Sequence, residues 1–151
     1  MKNIRTILLI STLLCMFYSC GEEQKEVDID EQISYYDDGT KFKEKRTIKN
    51  GQIERELSYY YENGQLEEII NYKDGKRDGE QISYYENGQL KEKYNYKNGY
   101  LHGEYEKYYK NGQLEVKVSY KNNNLNGEWI FYNEDGSINN KVTYKDGEKI
   151  E

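Results

Sequence analysis

His102 is the only histidine of this 151-residue chain, and Cys15 and Cys20 are its only cysteines. The inventory for nucleophilic, acid–base or metal chemistry is therefore short. One imidazole with neither a second histidine nor a partner thiol makes no zinc site and no Cys–His pair. His102 stands in Leu101-His102-Gly103, a setting that suits a turn residue better than a metal ligand or a catalytic base. The serines lack a base to activate them. Glycines punctuate the chain singly and never form Gly-x-x-x-x-Gly-Lys-Ser/Thr or Gly-x-Gly-x-x-Gly, so no phosphate cradle is implied. The adjacent carboxylates Glu67-Glu68 could supply an acid and a base, but successive residues of a strand point to opposite faces. These residues argue against an enzyme and call for no cofactor and no metal.

Cys20 has a different chemistry. Lys2 and Arg5 form a positive n-region ahead of the eleven-residue apolar stretch Ile7 to Phe17. Eleven residues are too few to cross a bilayer, which takes about 20, and suit a secretory leader. The leader ends Phe17-Tyr18-Ser19-Cys20-Gly21, ahead of the polar run Glu22-Glu23-Gln24-Lys25-Glu26. This junction resembles the lipobox of bacterial lipoproteins, although the bulky Phe17-Tyr18 pair replaces the usual leucine and small residue. The resemblance implies that residues 1–19 are a short helical signal peptide and that Cys20 is diacylated as the new N-terminus. It further implies that residues 20–31 tether the rest to a membrane of the bacterial cell envelope. Gly21 in place of an aspartate, with the acidic run after it, favours the outer membrane over the inner. Cys15 leaves with the leader, and lipidation explains why Cys20 has no disulfide partner. Loss of Lys2 and Arg5 takes the basic count from 22 to 20 against 28 acidic residues, so the formal net charge moves from −6 to −8. Such a surface repels nucleic acid.

The elements that must position everything else follow from an internal repeat. Tyr60-Tyr61-Glu62-Asn63-Gly64-Gln65-Leu66 returns as Tyr84 to Leu90 and as Tyr108 to Leu114, 24 residues apart. Tyr132 to Ile138 is a degenerate copy in phase, and Tyr35 to Phe42 lies one residue out of phase. A second signal recurs within the period: Tyr72-Lys73-Asp74-Gly75 with Gly79-Glu80, then its counterparts at Tyr96, Tyr120 and Tyr144. About five copies, the last incomplete, fill residues 32–151 as one domain. Asn63-Gly64, Asn87-Gly88 and Asn111-Gly112 match type I′ hairpin turns, which need positive φ at both central residues. The second connection, such as Asp74 to Gly79, reads as a longer loop. Between turns the period is two. It places Leu114, Val116, Val118 and Tyr120 on one side of a strand, and puts Leu57, Gln81, Tyr105 and Trp129 in one column across the repeats.

The fold class expected is all-β: about ten short strands in an elongated, open and twisted antiparallel hairpin array. Only 35% of the residues are hydrophobic, yet 18 are tyrosines and none is proline. A single-layer sheet has little room for an aliphatic core, and tyrosine covers a half-wet pleated surface while keeping its hydroxyl near water. Proline would delete a ladder donor in every central strand. The columns Lys49, Lys73, Lys97, Lys121, Lys145 and Glu56, Glu80, Glu104, Glu128 are expected to face one another across the hairpins as ion pairs.

The alternation of Gly-Glu-(Tyr/Trp), Tyr-Tyr-x-Asn-Gly-Gln-Leu and Tyr-Lys-x-Gly, clearest from Gly103-Glu104-Tyr105 to Gly127-Glu128-Trp129, resembles the MORN repeat. It is most similar to the variant in bacterial proteins classed as YwqK-type antitoxins. The resemblance implies an extended hairpin array used for protein contact, with no catalytic residues to carry over. Three roles are open on this basis: a membrane-tethered interaction module, an immunity or antitoxin-like protein that neutralises a toxin, and a structural spacer. The candidate contact residues are Tyr85, Tyr109 and Trp129, facing a protein or a glycan. Open edge strands also make end-to-end self-association an expectation.

Overall fold

The computed structural model describes residues 7–9, 29–37 and 39–150. Its strands are β1 (Ile7–Leu9), β2 (Ile29–Tyr35), β3 (Phe42–Lys49), β4 (Gln52–Tyr60), β5 (Leu66–Lys73), β6 (Lys76–Tyr84) and β7 (Leu90–Lys97). They continue with β8 (Tyr100–Leu101), β9 (Gly103–Tyr108), β10 (Leu114–Lys121), β11 (Asn124–Leu125), β12 (Gly127–Tyr132), β13 (Ile138–Lys145) and β14 (Glu148–Lys149). All belong to one 14-stranded sheet whose order follows the chain, with β8 and β11 pairing the preceding strand as stubs. Every pairing is antiparallel. Among the described residues there is no helix, and hence none that could cross a membrane. The helical reading of residues 1–19 lies outside the described residues except at Ile7–Leu9, which is extended along β2. Cys20 lies outside them as well. Ile29 to Glu31, read as the end of a tether, already pair with Lys49, Ile48 and Thr47.

Two of the strands beyond the ten expected, β8 and β11, arise from how one glycine works. Gly79, Gly103 and Gly127, at φ 105°, 105° and 118°, each kink the strand that follows a tight turn. β6 stays one strand through the kink, with its register against β5 shifting between Ile70 and Tyr72, whereas at His102 and Asn126 the strand breaks and leaves β8 and β11 as two-residue pieces. Gly79 and Gly103 are also tightly approached, since an added Cβ would meet Asn71 Cβ at 3.3 Å and Asn95 Cβ at 3.2 Å and push those side chains aside by a few tenths of an ångström. The first repeat carries Arg55 at this position, with φ 69°, a conformation costing a non-glycine residue roughly 1–2 kcal/mol.

The two turn assignments are exchanged relative to the sequence reading. At Asn50-Gly51, Asp74-Gly75, Asn98-Gly99, Asn122-Asn123 and Asp146-Gly147 both residues have positive φ, from 49° to 92°. The flanking residues pair directly, as Lys49 with Gln52 and Lys73 with Lys76. These are the two-residue type I′ turns, and the "longer loop" is such a turn followed by the glycine kink. At Asn63-Gly64, Asn87-Gly88 and Asn111-Gly112 only the glycine has positive φ, at 82° to 86°. Gly64 N–H donates to Tyr61 C=O at 2.9 Å and Tyr61 N–H to Gln65 C=O at 2.8 Å, which describes a type I turn closed by a left-handed glycine. Asn63 stays out of the left-handed region because its carboxamide is occupied: Oδ1 accepts from Gln65 N–H at 2.9 Å and Nδ2 donates to Glu86 C=O at 3.0 Å.

Each type I hairpin also carries a bulge, so Tyr60 pairs with Leu66 while Tyr59 pairs with Glu68. The bulge reverses the face of the residue beyond it. Leu114 pairs with Tyr108 and Val116 with Lys107, so Leu114 leaves the column it was assigned with Val116 and Val118. What remains is a thin dry row. Leu57, Ile70, Val116 and Val118 are the buried apolar residues, and Val118 is 1% exposed. It lies opposite Tyr105 on one side, and the register that pairs Lys117 with Ile130 carries it to Trp129 on the other. Aromatic rings on both flanks bury a valine that a bare sheet would leave wet.

Candidate interaction face

Register divides the sheet into two unlike faces. On the charged face, Lys93 pairs with Glu80 at 2.6 Å, Lys117 with Glu104 at 2.9 Å and Glu106 at 3.4 Å, and Lys141 with Glu128. Glu80, Glu104 and Glu128 are therefore paired, but by the lysines of the following strand, while Glu56 accepts from the Ser58 hydroxyl at 2.6 Å. The column Lys49, Lys73, Lys97, Lys121, Lys145 flanks the type I′ turns instead, opposite Gln52, Lys76, Tyr100, Asn124 and Glu148. The reason is geometric: a two-residue turn brings the residues immediately beside it together, and the glutamates lie four positions further on. Exposed pairs of this kind contribute less than about 1 kcal/mol each and serve mainly to hold register.

The other face is aromatic. Its central row runs through Leu57, Ile70, Gln81, Tyr94, Tyr105, Val118 and Trp129. Tyr94 and Tyr105 lie 4.6 Å apart between ring centroids, and Trp129 stacks on Phe131 at 5.1 Å and leans on Tyr144 at 5.8 Å. Tyr94 and Tyr105 both donate to the Glu92 carboxylate, at 3.2 and 3.3 Å. Burial, reinforced by the Glu92 charge, pushes the Tyr94 hydroxyl up to about 12. Tyr105 is pushed up further, first by burial and then by Tyr94 and Glu92. No second layer covers this face among the described residues, because every strand belongs to the one sheet.

The three residues singled out from the sequence do not come together. Tyr85 and Tyr109 lie at the type I turns, in a ladder with Tyr36 and Tyr61. Each hydroxyl donates to a backbone carbonyl of the next repeat: Tyr36 to Tyr60, Tyr61 to Tyr84, Tyr85 to Tyr108 and Tyr109 to Tyr132, at 2.7 to 2.8 Å. Their polar ends hold repeat to repeat. Trp129 alone lies on the aromatic face, half-buried, with its Nε1–H buried and unpartnered. Tyr94 and Phe131 were missed as its companions. Counting by two from Trp129 reaches Phe131, but only the strand register brings Tyr94 into the row.

His102 occupies the position that Glu54 and Asp78 hold in the earlier repeats. Those carboxylates accept the N–H of the next turn, from Asp74 at 2.7 Å and Asn98 at 2.9 Å. His102 Nδ1 lies 3.3 Å from Asn122 Oδ1 of the turn it adjoins, in a shallow groove shared with Lys97, Asn98 and Tyr100. Glu67 and Glu68 serve different places. The Glu67 charge helps burial raise Tyr36 and Tyr61 at the turns, while Glu68 accepts from Gln81 Nε2 at 2.7 Å. They form no acid–base pair. Among the described residues no group of three or more His, Cys, Asp or Glu is placed to hold a metal ion.

A single-layer hairpin array with one aromatic and one ion-paired face defines a repeat protein of the contact-surface class. The MORN repeat variant matches residues 56–74, 77–98, 101–122 and 125–146, more than half of the chain, and the protein belongs to the MORN repeat variant family. The hairpin β2–β3 precedes the first match, and Arg55 of β4, immediately before that match, stands where the later repeats have Gly79, Gly103 and Gly127. No characterised protein matches the chain.

Proposed function

We propose that this protein is a non-enzymatic interaction module, held at the membrane by a lipid on Cys20, that presents its aromatic face to another protein. Repeats of this family mediate protein or membrane contacts. The observation that carries the reading is the asymmetry of the sheet: one face is closed by glutamate–lysine pairs, and the other offers half-buried aromatic rings with no second layer among the described residues. Aromatic side chains bury large area at low entropic cost and anchor interfaces. The lipid anchor rests on the Ser19-Cys20-Gly21 junction and the leader before it.

Affinity capture from the native envelope tests the interface, using wild type, Trp129→Ala on the aromatic face and Lys117→Ala on the charged face. A partner retained by wild type and Lys117→Ala but lost by Trp129→Ala is the expected outcome. Equal retention by all three, with circular dichroism showing a folded sheet, overturns it. Detergent partitioning of wild type against Cys20→Ala tests the anchor, which fails if the two partition alike. An antitoxin-like role is the same contact with a toxin as partner, and an adjacent toxin gene would distinguish it.

A further inference from the structure

We propose that Glu68, Gln81, Ser83 and Glu92 on the aromatic face form a receptor for a guanidinium group, so that the partner docks an arginine there. The inference rests on the reading of this face as the interaction surface, and adds the chemistry of what it takes. Glu68, Ser83 and Glu92 are successive cross-strand neighbours, with the carboxylates roughly 10 Å apart across two strand spacings. Gln81 lies in the adjoining row and is 9% exposed. Its Nε2 reaches across to Glu68 Oε1 at 2.7 Å, which leaves its Oε1 buried without a partner; Ser83 Oγ, two residues on along the same strand, is likewise buried and unpartnered.

The groups gathered here are two carboxylates that accept hydrogen bonds from Gln81, Tyr94 and Tyr105 but have no counter-charge, together with two buried oxygens that have no partner. Among the described residues neither Glu68 nor Glu92 forms an ion pair. Lys107, opposite Glu92, is committed to Glu115 at 2.8 Å. Buried polar atoms are costly until paired. A planar cation with five donors meets separated acceptors better than a compact ammonium can, and it stacks on tyrosine. The chain already uses this arrangement with its own arginine. The Arg77 guanidinium lies 5.3 Å over the Tyr96 ring and Nη1 donates to the Tyr96 hydroxyl at 3.2 Å, in the row beyond Tyr94. An acidic chain also steers a cationic partner toward it.

The test titrates the isotope-labelled full chain with an acetyl-Gly-Arg-Gly-amide peptide and its lysine counterpart, followed by NMR. Saturable shifts confined to Glu68, Gln81, Ser83, Glu92, Tyr94 and Tyr105 are expected, with weaker binding of the lysine peptide. Glu68→Gln and Glu92→Gln, which keep a hydrogen-bond acceptor, should each weaken arginine binding about tenfold, while Glu106→Gln on the charged face leaves it unchanged. Unsaturable shifts, shifts spread over both faces, equal binding of lysine or full binding by Glu92→Gln would each overturn the proposal. If the peptide fails while partner capture still depends on Trp129, the interaction face stands and this receptor does not. If the peptide binds while capture ignores Trp129, the reverse holds.

Discussion

The two long edges of the sheet carry the same Asn–Gly dipeptide and use it differently. At the edge of Asn50-Gly51, Asp74-Gly75 and Asn98-Gly99, both residues are left-handed and the hairpin is as tight as two residues allow. At the edge of Asn63-Gly64, Asn87-Gly88 and Asn111-Gly112, only the glycine is left-handed and a bulge follows. The first edge binds repeats together through main-chain bonds, Gly99 N–H to Arg77 C=O at 2.8 Å and Asn123 N–H to Leu101 C=O at 2.9 Å. The second uses tyrosine hydroxyls for the same purpose. The dipeptide therefore marks a turn without choosing its type. The choice comes from the neighbours: Asn63 and Asn111 bind the backbone of the next repeat, and the two-residue turns are followed by a kink that only glycine takes without strain.

Substitutions can break this comparison, and the largest effect is expected at the kink. Gly103→Val meets both φ 105° and Asn95 Cβ at 3.2 Å, and should cost about 3 kcal/mol in urea unfolding. Gly88→Ala at the other edge meets φ 82° but only the flexible end of Gln65 at 3.6 Å, and should cost roughly 1–2 kcal/mol. If the two losses are equal, the edges do not differ as described. Tyr85→Phe deletes the 2.7 Å bond to Tyr108 C=O and should lower stability by about 1 kcal/mol, with faster amide exchange at the turns that follow β6 and β9. A neutral Tyr85→Phe would reduce that ladder to packing. Arg55→Gly works in the opposite direction, relieving φ 69°, and is expected to add about 0.5–1 kcal/mol; a loss there would mean that the Arg55 side chain has a role of its own.

Alkali sharpens the contrast with the aromatic face. Tyr94 is raised from 10.0 to about 12 by burial and then by Glu92. On the charged face Tyr108 is raised to about 12 by burial and by its bond to Glu106. A hydroxyl whose folded value exceeds its unfolded one stabilises the fold fully below pH 10, and that contribution is lost as pH climbs from 10 through 12. Absorbance titration should show late-ionising tyrosines whose release coincides with loss of the sheet, and Tyr94→Phe should remove one of them. Ionisation of every tyrosine near pH 10 in a folded protein would contradict the packing described.

Much of the array was legible because a repeat writes its register into the sequence. The 24-residue spacing, the turn dipeptides and the period of two located β3 to β7 and the aromatic column through Tyr105 and Trp129. The interaction face was legible only in part. Tyr85 and Tyr109 drew notice as aromatics at turns, but their hydroxyls hold repeats together. Tyr94, one of the alternating column Leu90, Glu92, Tyr94 and Tyr96, was not singled out as a contact residue because its alignment with Tyr105 depends on pairing between strands. The lysine column was assigned to the wrong partners for the same reason, since the sequence carries the spacing of Lys73 and Glu80 but not the tightness of the turn beside Lys73.

By itself the sequence determined that this chain is a tyrosine-rich repeat of antiparallel hairpins, since composition and period are properties of one chain read in order. The tertiary structure decided which turn is left-handed at two residues, where each bulge reverses the side-chain alternation, and which acceptors on the aromatic face stay unpaired. Those outcomes depend on hydrogen bonds and contacts between strands about 20 residues apart, and a one-residue shift in any bulge would exchange the two faces.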